Sequence, residues 1–488
     1  MLVPIPVIAA AGVPSLIWVA PFVALLLCVA LLPLFHRTAH WWHANSSKLL
    51  VSIVCAGMVL AHYWTRGFGV HLHGDVTVAA ARLLGVGIEA EPSGKGYSTI
   101  AGFPALMGAA INSMWEYTPF IVMLFSLYAI AGGIVVRGRL SAAPGAITAL
   151  MAIGGVLASL VGTTGASVLL IRPLLKALQS RRNKVHTVVF FIFIVSNVGG
   201  TMLPIGDPPL FVGFLRGVPF LWTLSLWAPW VFMMGSLLAI YFVWDSMLWK
   251  KERREGYDAS PIGAALTPEP VSVAGLINAV WLVLVVLCVA TLAPGSQFPG
   301  TSWVVPPLLR EGAMLGLVAV SFLTTAKGLR AENKFDWFPI AEVAALFLGI
   351  FVALQVPLEI LSVRGGELGL TTAWQYFWAT GALSAFLDNA PTYAVFFQTA
   401  LSAPPPPAGV EMVTLANGSQ IRDDFLAAVS LGAVFMGACT YIGNGPNFMV
   451  KAIAEEGGVK MPGFFGYMAY AAAVLVPLFV VLTVVFLT

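Results

Sequence analysis

The sequence predicts an all-α polytopic membrane protein made of two inverted repeats. Each repeat holds five transmembrane helices and one re-entrant helical hairpin, with broken helices near the midplane. Three observations carry this reading. The chain is 59% hydrophobic and 10% charged, whereas a soluble domain carries roughly a quarter charged residues. Many apolar runs reach the ~20 residues that span a bilayer. Finally, Ile205-Gly206-Asp207-Pro208-Pro209-Leu210-Phe211 returns in altered form as Ile442-Gly443-Asn444-Gly445-Pro446-Asn447-Phe448, each inside a long apolar run. Gly and Pro break helices there, and paired breaks in two halves point to the midplane site of a secondary transporter.

Taken in order, the first half (1–247) reads as spans at 13–35, 47–63, 117–135, 186–216 and 222–247. The second half (271–488) reads as spans at 271–293, 305–326, 338–360, 424–456 and 464–487, after a cytoplasmic linker at 248–270. Two further apolar stretches, 142–179 and 373–402, are interrupted at Thr163-Thr164-Gly165 and at Asp388-Asn389-Ala390-Pro391. These suit hairpins that enter the membrane and return on the same side, a course tolerated only where backbone is buried in protein or lines a wet cavity. The first span is too long for a signal-peptide core and lacks a basic flank before it, so it is expected to stay uncleaved. The outward loop 64–114 contains a stretch, Asp75 to Arg82, that suits a short interfacial helix, and the 250–255 run, Lys-Lys-Glu-Arg-Arg-Glu, suits a helix anchor at the cytoplasmic surface.

Charge sets the orientation. With the loops 36–48, 136–140, 180–185, 248–270, 327–336 and 457–462 in the cytoplasm, and Arg172, Lys176 and Lys451 toward that side, only Arg66, Arg82, Lys95, Arg216, Arg310, Arg364 and Arg422 stay outside, leaving 18 of the 25 Lys and Arg within. That is a positive-inside bias. It predicts a multi-pass protein of the cell (inner) membrane with both termini outward, and hairpins that open from opposite sides. The halves also keep register: Glu116 and Glu342, each expected to open the third span of its half, lie 226 positions apart, Thr163 and Asp388 225, Gly206 and Gly443 237. The longer 403–423 loop, with its Pro404–Pro407 run, accounts for the last excess.

Several chemistries find no support. The four cysteines (Cys28, Cys55, Cys288, Cys439) sit unpaired in apolar segments and read as small hydrophobes. His71 and His73 have a spacing that suits a metal, but the expectation is no resident metal and no cofactor. There is no zinc-protease, nucleophile-elbow or phosphate-loop motif, so neither an enzyme nor ATP-driven transport is indicated. The net charge of +3 reflects topogenic residues, not nucleic-acid binding. The expected surroundings are lipid and a small ion or carboxylate substrate.

The breaks carry the chemistry. The first helix runs through Ser196-Asn197-Val198-Gly199-Gly200-Thr201 and ends near Pro204, and a new one can start at Pro208 or Pro209. Asp207 then falls at the N-cap, where a carboxylate satisfies free amides and the helix dipole. Asn444 and Asn389 occupy comparable places ahead of Pro446 and Pro391. Free carbonyls with a carboxylate suit Na⁺, and free amides suit an anion. A carboxylate within the membrane is a functional-site hypothesis by default, which singles out Asp207 and Asp388. Both also fit a purely structural cap. Glu116 and Glu342 fit either a proton or gating role or an ordinary helix start. Thr163, Thr164, Ser167, Thr392, Ser196, Asn197, Thr201, Thr440 and Asn447 are uncharged ligands of the right type, or helix–helix hydrogen bonds.

These residues resemble a known group. Ser196-Asn197-Val198-Gly199-Gly200-Thr201 with Pro204-Ile205-Gly206-Asp207-Pro208-Pro209 resembles the unwound helix of the ion transporter superfamily. That superfamily comprises sodium/proton antiporters of the NhaD type, arsenite permeases, citrate transporters and divalent-anion/sodium symporters. Leu387-Asp388-Asn389-Ala390-Pro391-Thr392 is similar to the hairpin tip of the antiporter and arsenite branches. The resemblance spans roughly 100–488. It implies two inverted repeats, a homodimer, and a transport domain moving against a scaffold. It also implies one Na⁺ site around Thr163, Thr164, Asn197 and Asp207, and another around Asp388, Asn389, Thr392 and Asn444. The Ser-Asn-Thr tips of the carboxylate symporters are absent, while Pro208-Pro209 is similar to theirs. The leading expectation is a Na⁺/proton antiporter working by alternating access, with Thr201, Gly206, Gly443 and Asn447 completing the site and Na⁺ or H⁺ as the transported species. The alternative is a Na⁺- or H⁺-coupled citrate or carboxylate transporter, using the amides of 206–211 and 443–448.

Overall fold

The computed structural model describes residues 12–33, 35–91, 96–255, 269–406 and 409–488. Most of the linker, Lys95 and Pro407 therefore lie outside the described residues. The chain is a polytopic all-α membrane protein. In order, its helices are Ala20–Leu31 (α1), His36–His43 (α2), Asn45–Thr65 (α3), Asp75–Leu83 (α4), Phe103–Ala131 (α5), Pro144–Val161 (α6), Thr163–Ala177 (α7), Val185–Ile194 (α8), Pro208–Leu215 (α9) and Trp227–Arg254 (α10). There follow Ile277–Thr291 (α11), Leu309–Thr324 (α12), Leu329–Glu332 (α13), Phe338–Ala353 (α14), Gln355–Arg364 (α15), Ala373–Ser384 (α16), Asn389–Leu401 (α17), Asp423–Met436 (α18), Gly445–Glu456 (α19) and Phe464–Phe486 (α20). Among the described residues, six helical stretches are long and apolar enough to cross a membrane, from Asn45–Thr65 to Phe464–Phe486, and shorter apolar helices stand beside them.

Local chemistry explains the punctuation. The first interrupted stretch breaks at Gly162, whose φ of 82° is a conformation that glycine adopts without penalty. Its two arms run antiparallel, since Gly154 faces Leu170 and Gly165 faces Val161. In the second stretch, α16 starts with a capping box in which Thr372 and Gln375 satisfy each other's backbone, and α17 starts at Asn389.

Some boundaries differ from expectation. The third span starts at Phe103, with Pro104 in its first turn, so Glu116 lies near the middle of a 29-residue helix rather than at its start. Glu342, by contrast, does lie in the opening turns of α14. The stretch that reads as the start of the 271–293 span is a strand, Glu269–Ala274, paired antiparallel with Val135–Arg139, and the helix begins only at Ile277. The Asp75–Arg82 segment is a helix as expected.

The chain forms two compact units, each drawing on both halves of the sequence. One comprises Met1–Val122, Trp337–Thr371 and Ala394–Val410, and the other Met123–Asp336, Thr372–Tyr393 and Glu411–Thr488. In the first unit α3 packs on α14 at Ser52 and Gly349, Phe120 stacks on Phe347 at 4.6 Å, and Arg66 bonds Glu359 at 2.8 Å. The second unit holds the hairpin α6–α7 and both breaks, and α16 packs along α18 where the backbone of Phe377 meets Gly432.

Candidate functional site

Both breaks of the second unit are built alike. After α8 the chain passes through a 3-10 turn, Val198–Thr201, and an irregular stretch before α9. After α18 it passes through Gly437–Cys439 and an irregular stretch before α19. The residues entering the new helices, Asp207 (φ −141°, ψ 143°) and Asn444 (φ −153°, ψ 137°), share an extended backbone. Each irregular stretch crosses itself at a pair of glycines. A side chain on Gly206 would run into the Gly200 carbonyl and the Ser159 backbone, and one on Gly443 into the Gly437 and Ser384 carbonyls. A serine braces each crossing: Ser159 Oγ donates to the Gly199 carbonyl at 2.6 Å, and Ser384 Oγ to the Ala433 carbonyl at 2.7 Å. Neither serine stands out in the sequence, although 225 positions separate them, as they separate Thr163 and Asp388.

Asp207 takes the N-cap position but caps nothing with its side chain. Part of the reason is local: Pro209, at the second helical position, has no N–H to offer, and the Leu210 N–H donates to the Asp207 backbone carbonyl at 3.1 Å. The carboxylate turns instead to side chains from three other segments. Its Oδ1 accepts from Thr163 Oγ1 at 2.8 Å and Asn444 Nδ2 at 3.1 Å, and its Oδ2 accepts from Asn389 Nδ2 at 2.7 Å. All four residues are at most 2% exposed. Among the described residues, no Lys or Arg bonds to Asp207. Asn389 Oδ1 is buried with no hydrogen-bond partner, so a free amide oxygen stands beside the carboxylate.

The two sites that the resemblance implies are thus regrouped. Asp207 and Thr163 of one set share a single network with Asn389 and Asn444 of the other. Asn197 is held behind it: Asn447 Nδ2 donates to the Gly437 and Thr440 carbonyls at 2.8 and 2.9 Å, and Asn447 Oδ1 accepts from Asn197 Nδ2 at 2.7 Å. Asn197 Oδ1 then accepts from Asn444 Nδ2 at 3.2 Å. This amide chain orients Asn444 and ties one break to the other. Thr201 Oγ1 bonds the Val198 carbonyl, and Thr392 Oγ1 the Asp388 carbonyl. Thr164 lies partly exposed in the first turn of α7. Asp388, also partly exposed, accepts the Ala390 amide at 3.1 Å and caps its own helix.

Several of the amides that an anion would need are engaged. Pro208, Pro209 and Pro446 carry no N–H. Gly206 N–H donates to the Leu203 carbonyl, and the Ile442 and Gly443 amides both go to Thr440 Oγ1. In the first unit Glu342 pairs with the buried Lys48 at 2.8 Å, and Glu116 lies 3.6 Å from His73. Both glutamates therefore have local partners that the sequence alone does not reveal.

Comparison with known proteins gives the chain a family. Residues 95–487 match the profile of a family described as "Putative citrate transport". Uncharacterised transporters of Mycobacterium bovis and Mycobacterium tuberculosis are each 26% identical over 337 residues, covering 66% of this chain and 72% of the relative.

Proposed function

We propose, from the premise that this chain belongs to that citrate transport family and is a membrane transporter, that Asp207 is its coupling site and that it exchanges Na⁺ for H⁺. The observation that carries the reading is one buried carboxylate ringed by Thr163, Asn389 and Asn444, with a free amide oxygen beside it and no basic partner bonded to it among the described residues. A buried charge without a counter-ion is costly. A bound proton or a bound cation removes that cost, and one carboxylate cannot hold both. Competition for one site is what exchange requires. Na⁺ would take oxygens from Asp207, Thr163 and Asn389.

Alternating access fits two halves with the same ancestry but opposite orientation, 1–247 and 271–488. The matched crossings Gly200–Gly206 with Ser159, and Gly437–Gly443 with Ser384, support such a duplication. The second half lacks a carboxylate at its break, where Asn444 stands at the position of Asp207. The cycle therefore carries one charge-bearing ligand at this cluster. A second reading, cation-coupled citrate transport, is favoured by the family's description. In it Asp207 keeps the coupling ion, while citrate binds outside the Asp207 network.

The test is transport in proteoliposomes carrying a pH-sensitive dye, with Na⁺, Li⁺, K⁺ and citrate added in turn. Proton movement on Na⁺ or Li⁺ alone is expected, and Asp207→Asn should abolish it. Silence to cations with a response to citrate would overturn the antiporter and leave the second reading.

A further inference from the structure

The side chains at the C-terminal end of α10 sort by face. Leu237, Tyr241, Asp245 and Glu252 are buried, and their spacing puts them on one stripe of the helix, against the protein. The opposite stripe carries Ala239, exposed, with Val243 and Met247, which are 57 and 65% exposed. At the same spacing it runs on into Lys250 and Arg254, both exposed, with Lys251 exposed beside them one turn after Met247. The helix is part of a stretch, Phe220–Arg254, long and apolar enough to cross a membrane. Its exposed apolar stripe is therefore the one that meets acyl chains, and Trp249 stands where that stripe gives way to charge, a place that suits the membrane interface.

The acids here are engaged and the bases are left over. Glu252 Oε2 accepts from Arg181 Nε at 2.8 Å, and its Oε1 accepts the backbone and side-chain N–H of Asn183, both at 2.7 Å. Arg181, in the turn between α7 and α8, is 1% exposed and also clasps Asp245 at 2.6 Å. Lys184 stands near Glu252, so two bases face the two acids of the inner stripe. Glu255 is taken up by Arg182 at 3.2 Å, and Arg253 lies over the Trp249 ring, 5.0 Å from its centroid. Lys250, Lys251 and Arg254 remain on the outer face. Among the described residues, none of these three side chains has an ion pair or a hydrogen-bond partner.

Three unneutralised cations at the end of a lipid-facing apolar stripe complement an anionic amphiphile. We propose that Lys250, Lys251 and Arg254 bind the headgroup of an anionic phospholipid whose acyl chains lie along Ala239, Val243 and Met247. Arginine suits the fork of phosphate oxygens, and lysine offers point charges beside it. The net negative charge of the lipid supplies the counter-charge that the protein withholds. A zwitterionic lipid brings its own ammonium and gains little from three further cations. Basic residues also complement a helix C-terminus, a role that needs no lipid, and a lipid titration tells the two apart.

The test is binding of phosphatidylglycerol, and separately of phosphatidylcholine, to the full-length protein in detergent, read by native mass spectrometry. Wild type should bind its first phosphatidylglycerol more tightly than phosphatidylcholine. The variant Lys250→Gln with Lys251→Gln and Arg254→Gln should lose about a hundredfold of that affinity, from about fivefold for each charge, with phosphatidylcholine binding unchanged. Lys250→Arg with Lys251→Arg keeps the charges and should keep the affinity. Inorganic phosphate at the lipid's concentration should leave the complex intact, because it has no acyl chains to place on the stripe. Equal phosphatidylglycerol affinity in wild type and the Gln variant would overturn the proposal. Displacement by inorganic phosphate, the mark of a free-anion site, would overturn it too, as would a dimer that takes up no lipid because a second copy covers the face. The readout is lipid rather than ion, so the result is independent of Asp207 and of transport.

Discussion

Replacing Asp207 by Asn and by Ala separates what the carboxylate does for the fold from what it does for an ion. Ala strips the acceptor from the Thr163 hydroxyl and the Asn389 amide, while Asn444 keeps the Ser196 carbonyl and Asn197 Oδ1. Two buried donors left unpaired cost about 1–3 kcal/mol each, so the loss is about 2–6 kcal/mol before any cavity term. Asn is a different perturbation. Its oxygen can serve Thr163 and Asn444, and its NH₂ meets Asn389, whose Oδ1 is without a partner. A half-turn of the Asn389 amide then restores every bond. The loss of charge assistance, about 1 kcal/mol per bond, is set against relief from burying a charge. Asp207→Asn should therefore melt close to wild type and Asp207→Ala well below it. Ion binding should be lost in both. Na⁺ at 100 times its Kd stabilises a single-site protein by about 2.7 kcal/mol, and this rise in Tm should appear in wild type alone. Melting curves with NaCl against choline chloride read both effects. A Na⁺-dependent rise in Asp207→Asn equal to wild type would refute the reasoning.

Other perturbations follow from the same geometry. Asp388→Asn keeps an acceptor for the Ala390 amide and removes only the charge, so it should leave transport within about tenfold of wild type; loss as complete as in Asp207→Asn would return Asp388 to the site. Gly443→Ala drives a Cβ to 2.6 and 2.7 Å from the Gly437 and Ser384 carbonyls, which should cost at least the 1–3 kcal/mol or so of an overpacked core. Gly445→Ala meets open space and serves as its control in the same melts. Glu342→Gln strands the buried Lys48 ammonium and should lower Tm more than it lowers transport, with Lys48→Met in the same chain recovering part of the loss. The exposed Arg137–Glu332 pair should be silent in the melts at pH 7. Arg137 bonds the Glu332 carboxylate and holds it below its usual range, so any contribution is present at neutral pH and fades in acid.

Much of this was legible because breaking a membrane helix requires Gly and Pro, and these occur twice in register. Asp207 was legible by cost, as a lone carboxylate in an apolar run. The direction of its side chain was not, since it turns away from the helix it opens to segments that are remote in sequence. That Asn389 and Asn444 converge on it is a tertiary fact with no local signature. The start of α5 was misplaced because its small and polar residues, such as Asn112 and Ser113, lower the hydropathy of a stretch that still folds as helix. Pairing of Val135–Arg139 with Glu269–Ala274 joins segments too distant for any turn signal. Asp245 carried the same mark as Asp207, a carboxylate within an apolar span, and only its contact with Arg181 reveals what it does.

The most direct test of the central claim is a count of protons released when Na⁺ is added to weakly buffered, detergent-solubilised protein. Wild type should release protons with a Na⁺ dependence that saturates, because Asp207 exchanges one for the other, and Asp207→Asn should release none. Equal release from both proteins would contradict the account and move the coupling site away from Asp207.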